Sequence, residues 1–424
     1  MKVLIINTYD RGGAGIACLR LHKGLLCESV DVSVLLLEQE KSIPGVYQFQ
    51  KEKVTYNIFQ KIWHKLNERI KQIKRSPALS SEQSFLISRS KDLELFSFPN
   101  SNYDITTSPL YKEANIINLH WVAGFLDYKS FFKKNTKPIV WTLHDMNPFT
   151  GGEHFKETYL GINNLGFPIT RQVSNEEIIV ANKNIKIKRQ ALSKVRKLTI
   201  ITPSEWLAEE ARKSKVFKNY PVFCIPNGIN SNIFKPRGQA YAKATLNIPS
   251  DKKVILYVAE YISNSRKGFG YLKKAFAKLG REDVVLCSIG IGKSDLGSVL
   301  NIIELGSINT EELMSIAYSA ADVFVIPSLM DNLPNTVLES LMCGTPVIGF
   351  PVGGIVDMIQ DGENGYLAEE ISVDSLTFQL NKFLDNSDIF NRNEIRNNAM
   401  KKYDKKIQAK QYIDLFNQIL KKDV

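Results

Sequence analysis

Short apolar runs alternate with helical stretches from one end of this chain to the other, the pattern of parallel sheets covered by helices on both faces. Lys2 to Asn7, Asp31 to Leu37, Ile116 to Leu119, Pro138 to Leu143, Lys197 to Thr202 and Val222 to Ile225 read as strands of one sheet. A second series begins at Lys253 to Ala259 and continues through Val284 to Ile289, Ile302 to Leu305, Val323 to Ile326 and Thr345 to Phe350. A chain of 424 residues exceeds one ordinary core and suits two domains of about 200 each. The turn signal Pro226-Asn227-Gly228 separates the two series. The expected division is residues 1–225 and 226–404. A last helix, about 405–424, carries an apolar stripe at Tyr412, Leu415, Phe416, Ile419 and Leu420. Residues 40–110 read as a polar insertion with two or three helices. Ligands of such sheets sit at the carboxyl ends of the strands, and two facing domains put the site in the cleft between them.

The most informative segment follows the Val323 strand: Pro327-Ser328-Leu329-Met330-Asp331-Asn332-Leu333-Pro334-Asn335-Thr336-Val337-Leu338-Glu339. It reads as a tight loop entering a short helix, with Pro334 at the first helical position and Gly344 ending it. The N–H groups of Asn335 and Thr336 lack intrahelical partners, so an anion is favoured there. Glu339 lies one turn further along the face of Asn335, where a carboxylate accepts from sugar hydroxyls. A phosphate with a polyol beside it fits this arrangement. A capping and salt-bridging carboxylate pair fits it too.

The segment resembles the Glu-x7-Glu signature of glycosyltransferase family 4, retaining enzymes with the GT-B fold. Here Asp331 stands for the first acid and Asn332-Leu333-Pro334 for the usual glycine-rich turn. That form is similar to bacterial surface-polysaccharide transferases. The resemblance implies two Rossmann-like domains facing across a cleft, with the C-terminal helix crossing back to the first. It implies that Glu339 holds the ribose of a nucleotide sugar. Asp331 and the loop amides of Asn332 and Leu333 would hold the donor hexose and phosphate.

Other segments extend the resemblance. Gly12-Gly13-Ala14-Gly15, where the first strand meets its helix, lets a phosphate or an acceptor approach the backbone. It lacks the dinucleotide-binding spacing, and no acid closes the second strand. A plain turn is the alternative. The family places this loop under the donor diphosphate or beside the acceptor. His144 and Asp145 end the Pro138 strand, and His120 ends the strand before it. By resemblance His144 contacts the donor hexose near its reacting carbon. His120 and Asp145 are acceptor-side candidates, and either histidine could equally be a satisfied core residue. Arg266-Lys267-Gly268 follows the first strand of the second domain, where the family uses cations on the diphosphate. The family's arginine usually stands earlier, at a position occupied here by Ala259-Glu260-Tyr261. Arg266 is a fork and Lys267 a point charge.

The implied activity is metal-independent transfer of a hexose from a nucleoside-diphosphate sugar to a glycan or lipid-linked glycan hydroxyl. No cofactor is expected, and no histidine has metal-spaced partners. A degenerate sugar-nucleotide-binding subunit, or another GT-B activity such as an epimerase, is the alternative. Five scattered cysteines without a Cys-x-x-Cys pair, and no apolar run near the ~20 residues of a membrane span, point to the cytoplasm. The net charge of +11 concentrates at 51–75 and 183–197. The first stretch has apolar residues at helical spacing, so an amphipathic basic helix is expected. Anionic membrane, nucleic acid and a solvated face are the readings. No nucleic-acid-binding motif accompanies the charge, so nucleic acid is not an expected partner. A peripheral contact with the inner face of the membrane would suit a lipid-linked acceptor.

Overall fold

The structure, a computed structural model, describes residues 1–51, 80–90, 93–156, 158–292 and 301–421. The amphipathic basic helix expected at 51–75 falls almost wholly outside them. Strands are numbered along the chain: β1 Lys2–Tyr9, β2 Asp31–Glu38, β3 Val46–Gln48, β4 Ile116–Leu119, β5 Ile139–Thr142, β6 Tyr159–Ile162, β7 Pro168–Thr170, β8 Leu198–Thr202, β9 Val222–Cys224, β10 Lys253–Tyr261, β11 Val284–Ile291, β12 Ile302–Gly306, β13 Val323–Ile326, β14 Val347–Gly349 and β15 Gly365–Leu367.

Among the described residues two parallel sheets form. The first has the order β3-β2-β1-β4-β5-β8-β9 and the second β12-β11-β10-β13-β14-β15. The strand order reverses beside β1 in one sheet and beside β10 in the other, and crevices open at such switch points. The central strands have no polar face. Val3 to Ile6 and Val323 to Ile326 are buried throughout, as a sheet covered on both sides requires. Two edge strands escaped the sequence reading. Val46–Gln48 has two of its three residues exposed, and Gly365–Leu367 begins at a glycine. Neither carries an apolar run long enough to stand out.

The glycine run is not a turn. Gly12 to Gly15 form the first turn of the helix Gly12–Cys27. Gly15 explains the start, because a Cβ there would lie 2.9 Å from both the Tyr9 carbonyl oxygen and the Asp10 carbonyl carbon. Pro334 is the N-cap of the helix Asn335–Met342 rather than its first residue.

The C-terminal helix Lys405–Lys421 returns to the first half. Ala409, Tyr412 and Phe416 are fully buried in a cluster with Val3, Ile5, Leu21 and Val34. The chain therefore crosses between halves twice, and the crossings pair. The Ile229 N–H donates to the Tyr403 carbonyl at 2.7 Å, and the Lys405 N–H to the Ile229 carbonyl at 3.0 Å. Gly228 permits the approach, since a Cβ there would meet the Gln408 side chain at 2.7 Å and Lys405 Cα at 2.8 Å. A hairpin, β6–β7, reaches from the first half to the second. The Val373 N–H donates to the Gly166 carbonyl, and the Tyr271 hydroxyl to that of Gly161, each at 3.0 Å.

Candidate active site

A cleft of about 900 Å³ lies between the halves at the carboxyl ends of both sheets. Gly12, Gly13, His144, Asp145, Arg266, Lys267, Asp331, Asn332, Leu333, Asn335, Thr336 and Glu339 all line it, so eleven loop and helix positions far apart in sequence converge there with His144. His120 does not line it. That residue is 2% exposed and bonds His144, because β4 stops at Leu119, opposite Trp141, one residue before β5 ends. His120 meets the cleft only through its bond to His144.

The loop after β13 is held from three sides. The Asp331 carboxylate accepts from Lys267 Nζ at 2.5 Å, and Asn332 N–H donates to its other oxygen at 3.1 Å. Burial pushes its proton affinity up, but the Lys267 and Arg266 cations outweigh this and hold it below the usual carboxylate range. Asn332 spans the halves. Its Nδ2 donates to the His144 carbonyl at 3.1 Å, and its Oδ1 accepts from Ser204 Oγ at 2.6 Å. From behind, Gly353 and Gly354 press on the loop. A Cβ on Gly354 would lie 1.7 Å from the Asn332 carbonyl oxygen, and one on Gly353 1.9 Å from that of Asp331.

Gly268 plays the same part for the cationic loop. Its φ is +71°, and a Cβ would lie 1.7 Å from the Pro327 carbonyl oxygen. Left-handed backbone costs other residues ~1–2 kcal/mol, and this contact would add to it. Gly268→Ala is expected to lose about 2 kcal/mol or more, measured by urea unfolding. A change below about 0.5 kcal/mol would show that this approach is not held in solution.

Arg266 lies on the same Asp331 oxygen as Lys267, at 3.7 Å, but its closer partners are elsewhere. Its Nε donates to Glu94 at 2.6 Å and an Nη to the Met330 carbonyl at 2.8 Å, with the guanidinium 4.1 Å above the Phe155 ring. Glu94 belongs to the first half, so this pair also bridges the cleft. Burial alone would raise the Glu94 pKa, and Arg266 brings it below the ordinary value.

Sequence reasoning missed Arg20. It lies on the helix Gly12–Cys27, is 8% exposed, and donates to Glu339 at 2.7 Å and to Glu311 at 2.7 and 2.9 Å. The Tyr318 hydroxyl donates to the other Glu339 oxygen at 3.1 Å. Burial still dominates, and the Glu339 pKa is raised despite Arg20. Arg20 Nη1 is buried with no hydrogen-bond partner among the described residues. The sequence did hold a signal, since Arg20 is a lone cation between Leu19 and Leu21 within an apolar run. Asn335 adds a further bridge, its Nδ2 donating to the Gly13 carbonyl at 3.1 Å while its Oδ1 accepts from Asn227 at 3.2 Å.

On the first half, His144 and His120 are linked by their ring nitrogens at 2.8 Å. Burial lowers the His144 pKa to about 4, against a smaller opposing pull from Asp145. Asp145 is committed within the fold, accepting from His154 and from the Trp121 indole at 2.6 Å each. The 183–197 stretch is not uniformly a solvated face. Lys183, Lys186 and Arg189 are exposed, but Lys188 is fully buried and donates to the Asn147 and Thr150 carbonyls. Burial brings its pKa down to about 7. Among the described residues no group of three or more His, Cys, Asp or Glu could hold a metal ion.

Such a cleft can grip an anion with Lys267 and the N-termini of the helices starting at Gly12 and Asn335, and hydroxyls with Asp331, Glu339 and His144. Residues 239–406 match the family model "Glycosyl transferases group 1". An uncharacterized glycosyltransferase of Methanocaldococcus jannaschii is 30% identical over 224 residues, which are 50% of this chain and 56% of that one. The chain spans little more than half the length of the first curated relatives it matches, 56% and 60%. Among solved structures, sucrose-phosphate synthase from Thermosynechococcus elongatus superposes with a TM-score of 0.68 at 19% identity, covering 99% of each chain. Anabaena HepE in complex with UDP and glucose does so with 0.65 at 14% identity, covering 98% of this chain and 99% of that one. The chain has the GT-B fold, and its residues 239–406 are similar to the glycosyl transferases group 1 family.

Proposed function

We propose that this chain is a retaining glycosyltransferase that moves a hexose from a nucleoside-diphosphate sugar to a hydroxyl of a glycan or lipid-linked glycan, without a metal or cofactor. The observation that carries this reading is the convergence of Lys267, Asp331, Glu339 and His144 on one cleft between two switch points. The group 1 match of the second half supports it, as does the likeness to a HepE structure holding UDP and glucose. The Asp331-Asn332-Leu333-Pro334 motif supports a role in bacterial polysaccharide synthesis. Residues 1–225 with the returning helix would carry the acceptor, and residues 226–404 the donor. Among the described residues no helix is long and apolar enough to cross a membrane. A cytoplasmic enzyme with peripheral contact at the membrane face fits a lipid-linked acceptor.

Chemically, the diphosphate leaves as an anion. Lys267 and the amides starting the Asn335 helix, already oriented, would stabilise it. Arg266 would join only by exchanging Glu94 for phosphate oxygens. Asp331, His144 and loop carbonyls would orient the hexose. Neither acid of the motif stands free as a nucleophile for double displacement, since Asp331 is held by Lys267 and Glu339 by Arg20. The incoming hydroxyl would therefore attack on the leaving face and pass its proton to the departing phosphate.

A panel of nucleoside diphosphates tests the reading. One of them at a hundred times its dissociation constant stabilises the native state by about 2.7 kcal/mol. For domains of this size that shifts the melting midpoint by roughly 5–10 °C. The matching nucleotide sugar should be slowly hydrolysed by the purified chain. No shift with any base, together with no hydrolysis, would refute the assignment.

A further inference from the structure

A buried line of side chains runs from the cleft to the C-terminal helix, and from His144 to Asn118 its hydrogen bonds have only one consistent direction. Asn118 on β4 is fully buried. Its Nδ2 lies 3.1 Å from the Val140 carbonyl and 2.9 Å from Thr142 Oγ1. A carbonyl oxygen only accepts, so the amide nitrogen must stand there and Oδ1 must face His120 Nε2, 3.0 Å away. Oδ1 only accepts, so His120 carries its proton on Nε2. Burial, then the neighbouring His144, hold the His120 pKa well below its ordinary value, so the ring is neutral near pH 7 and its Nδ1 is bare. His144 Nε2, 2.8 Å from that bare nitrogen, must then be the donor. His144 is neutral as well, which leaves Nδ1 as its acceptor. At the far end, Thr142 Oγ1 meets the Tyr412 hydroxyl at 2.9 Å, which locks Thr142 against the returning helix.

We propose that Asn118 and His120 are positioning residues that fix His144 as the Nε2–H tautomer, so that it can present only a hydrogen-bond acceptor to the cleft. His144 then selects a hydroxyl of the bound saccharide and rejects phosphate, for which it has neither a proton nor a charge. The saccharide half of this statement rests on the transferase reading, whereas the tautomer does not. The electrostatic consequence is a division of labour. The anion is drawn to Lys267 on the second half, and the hexose turns its hydroxyl to the first.

The tautomer is read directly by long-range proton–nitrogen correlation on the full chain labelled with [15N]histidine. The five histidines are assigned by single substitutions. At pH 7 without ligand, His144 should show the pattern of a neutral ring protonated at Nε2. A ring protonated at Nδ1, or an averaged mixture, overturns the proposal with no variant needed. Asn118→Asp supplies the second arm. A carboxylate beside His120 Nε2 favours a doubly protonated His120, whose Nδ1–H would donate to His144 Nε2 and drive the His144 proton to Nδ1. The expected readout is that switch, with KM for the nucleotide sugar raised about tenfold while the free nucleoside diphosphate binds as before. Tenfold corresponds to about 1.4 kcal/mol, the size of one hydrogen bond. An unchanged His144 pattern in a folded Asn118→Asp protein also overturns it. An Nε2–H ring in a protein that turns over no nucleotide sugar upholds the tautomer and overturns the transferase reading instead.

Discussion

Lys267→Ala is expected to lower sugar transfer by about a hundredfold to a thousandfold, the usual loss when one preorganised group facing developing charge is removed. Lys267 is the cation nearest the Asp331 carboxylate, and its loop is held by Gly268 against Pro327. Without ligand its ammonium serves Asp331. A diphosphate carries more charge than one carboxylate, so donor binding would draw the ammonium across. The loss should therefore appear in both kcat and the affinity for nucleoside diphosphate. Lys267→Arg should recover only part, because a planar fork cannot occupy the place of a compact point charge beside a buried carboxylate. Initial rates of donor consumption decide the matter. Turnover within about threefold of the native enzyme would mean that the diphosphate lies elsewhere.

Arg20→Ala should be the most destabilising change in the cleft, by about 3–5 kcal/mol, as when one partner of a buried ion pair is deleted. It leaves Glu339 in place with Tyr318 as its remaining hydrogen-bond partner and takes the counter-ion from a carboxylate whose pKa burial already raises. Glu339→Gln in the Arg20→Met background should recover most of the loss. A double-mutant cycle in urea then measures the coupling directly. A loss under about 1 kcal/mol for Arg20→Ala would show that the bridge is not formed in solution. The pair lies across the cleft, so the same cycle reports how firmly the ligand-free halves are drawn together.

How much of this was legible follows from the range of the forces involved. Strands buried on both faces leave apolar runs, so Val323–Ile326 could be read to the residue, as could Ile116–Leu119 despite its buried Asn118. Val46–Gln48 could not, because an edge strand needs no such run. Local rules marked glycines near the first helix but mistook its opening turn for a loop. The reason, the closeness of Gly15 to Tyr9, exists only once the helix packs. The two acids and Lys267 could be assigned to one cleft from a single motif and the strand order. Their partners could not. Arg20 reaches Glu339 across 319 positions, and Glu94 reaches Arg266 across 172. Nothing in composition or spacing encodes such pairings. The same limit applies to His120, whose bond to His144 is set by where β4 stops relative to β5.

The paired crossings at Ile229 and Lys405 have a mechanical consequence. Two strands of covalent chain passing through one spot act as a pin. One body can swing about that pin relative to the other, but neither can slide or drift away. Any opening wide enough to admit a ligand must then be an arc centred there, widest at the lip furthest from the pin. Such a machine opens like a book along its spine rather than like a drawer.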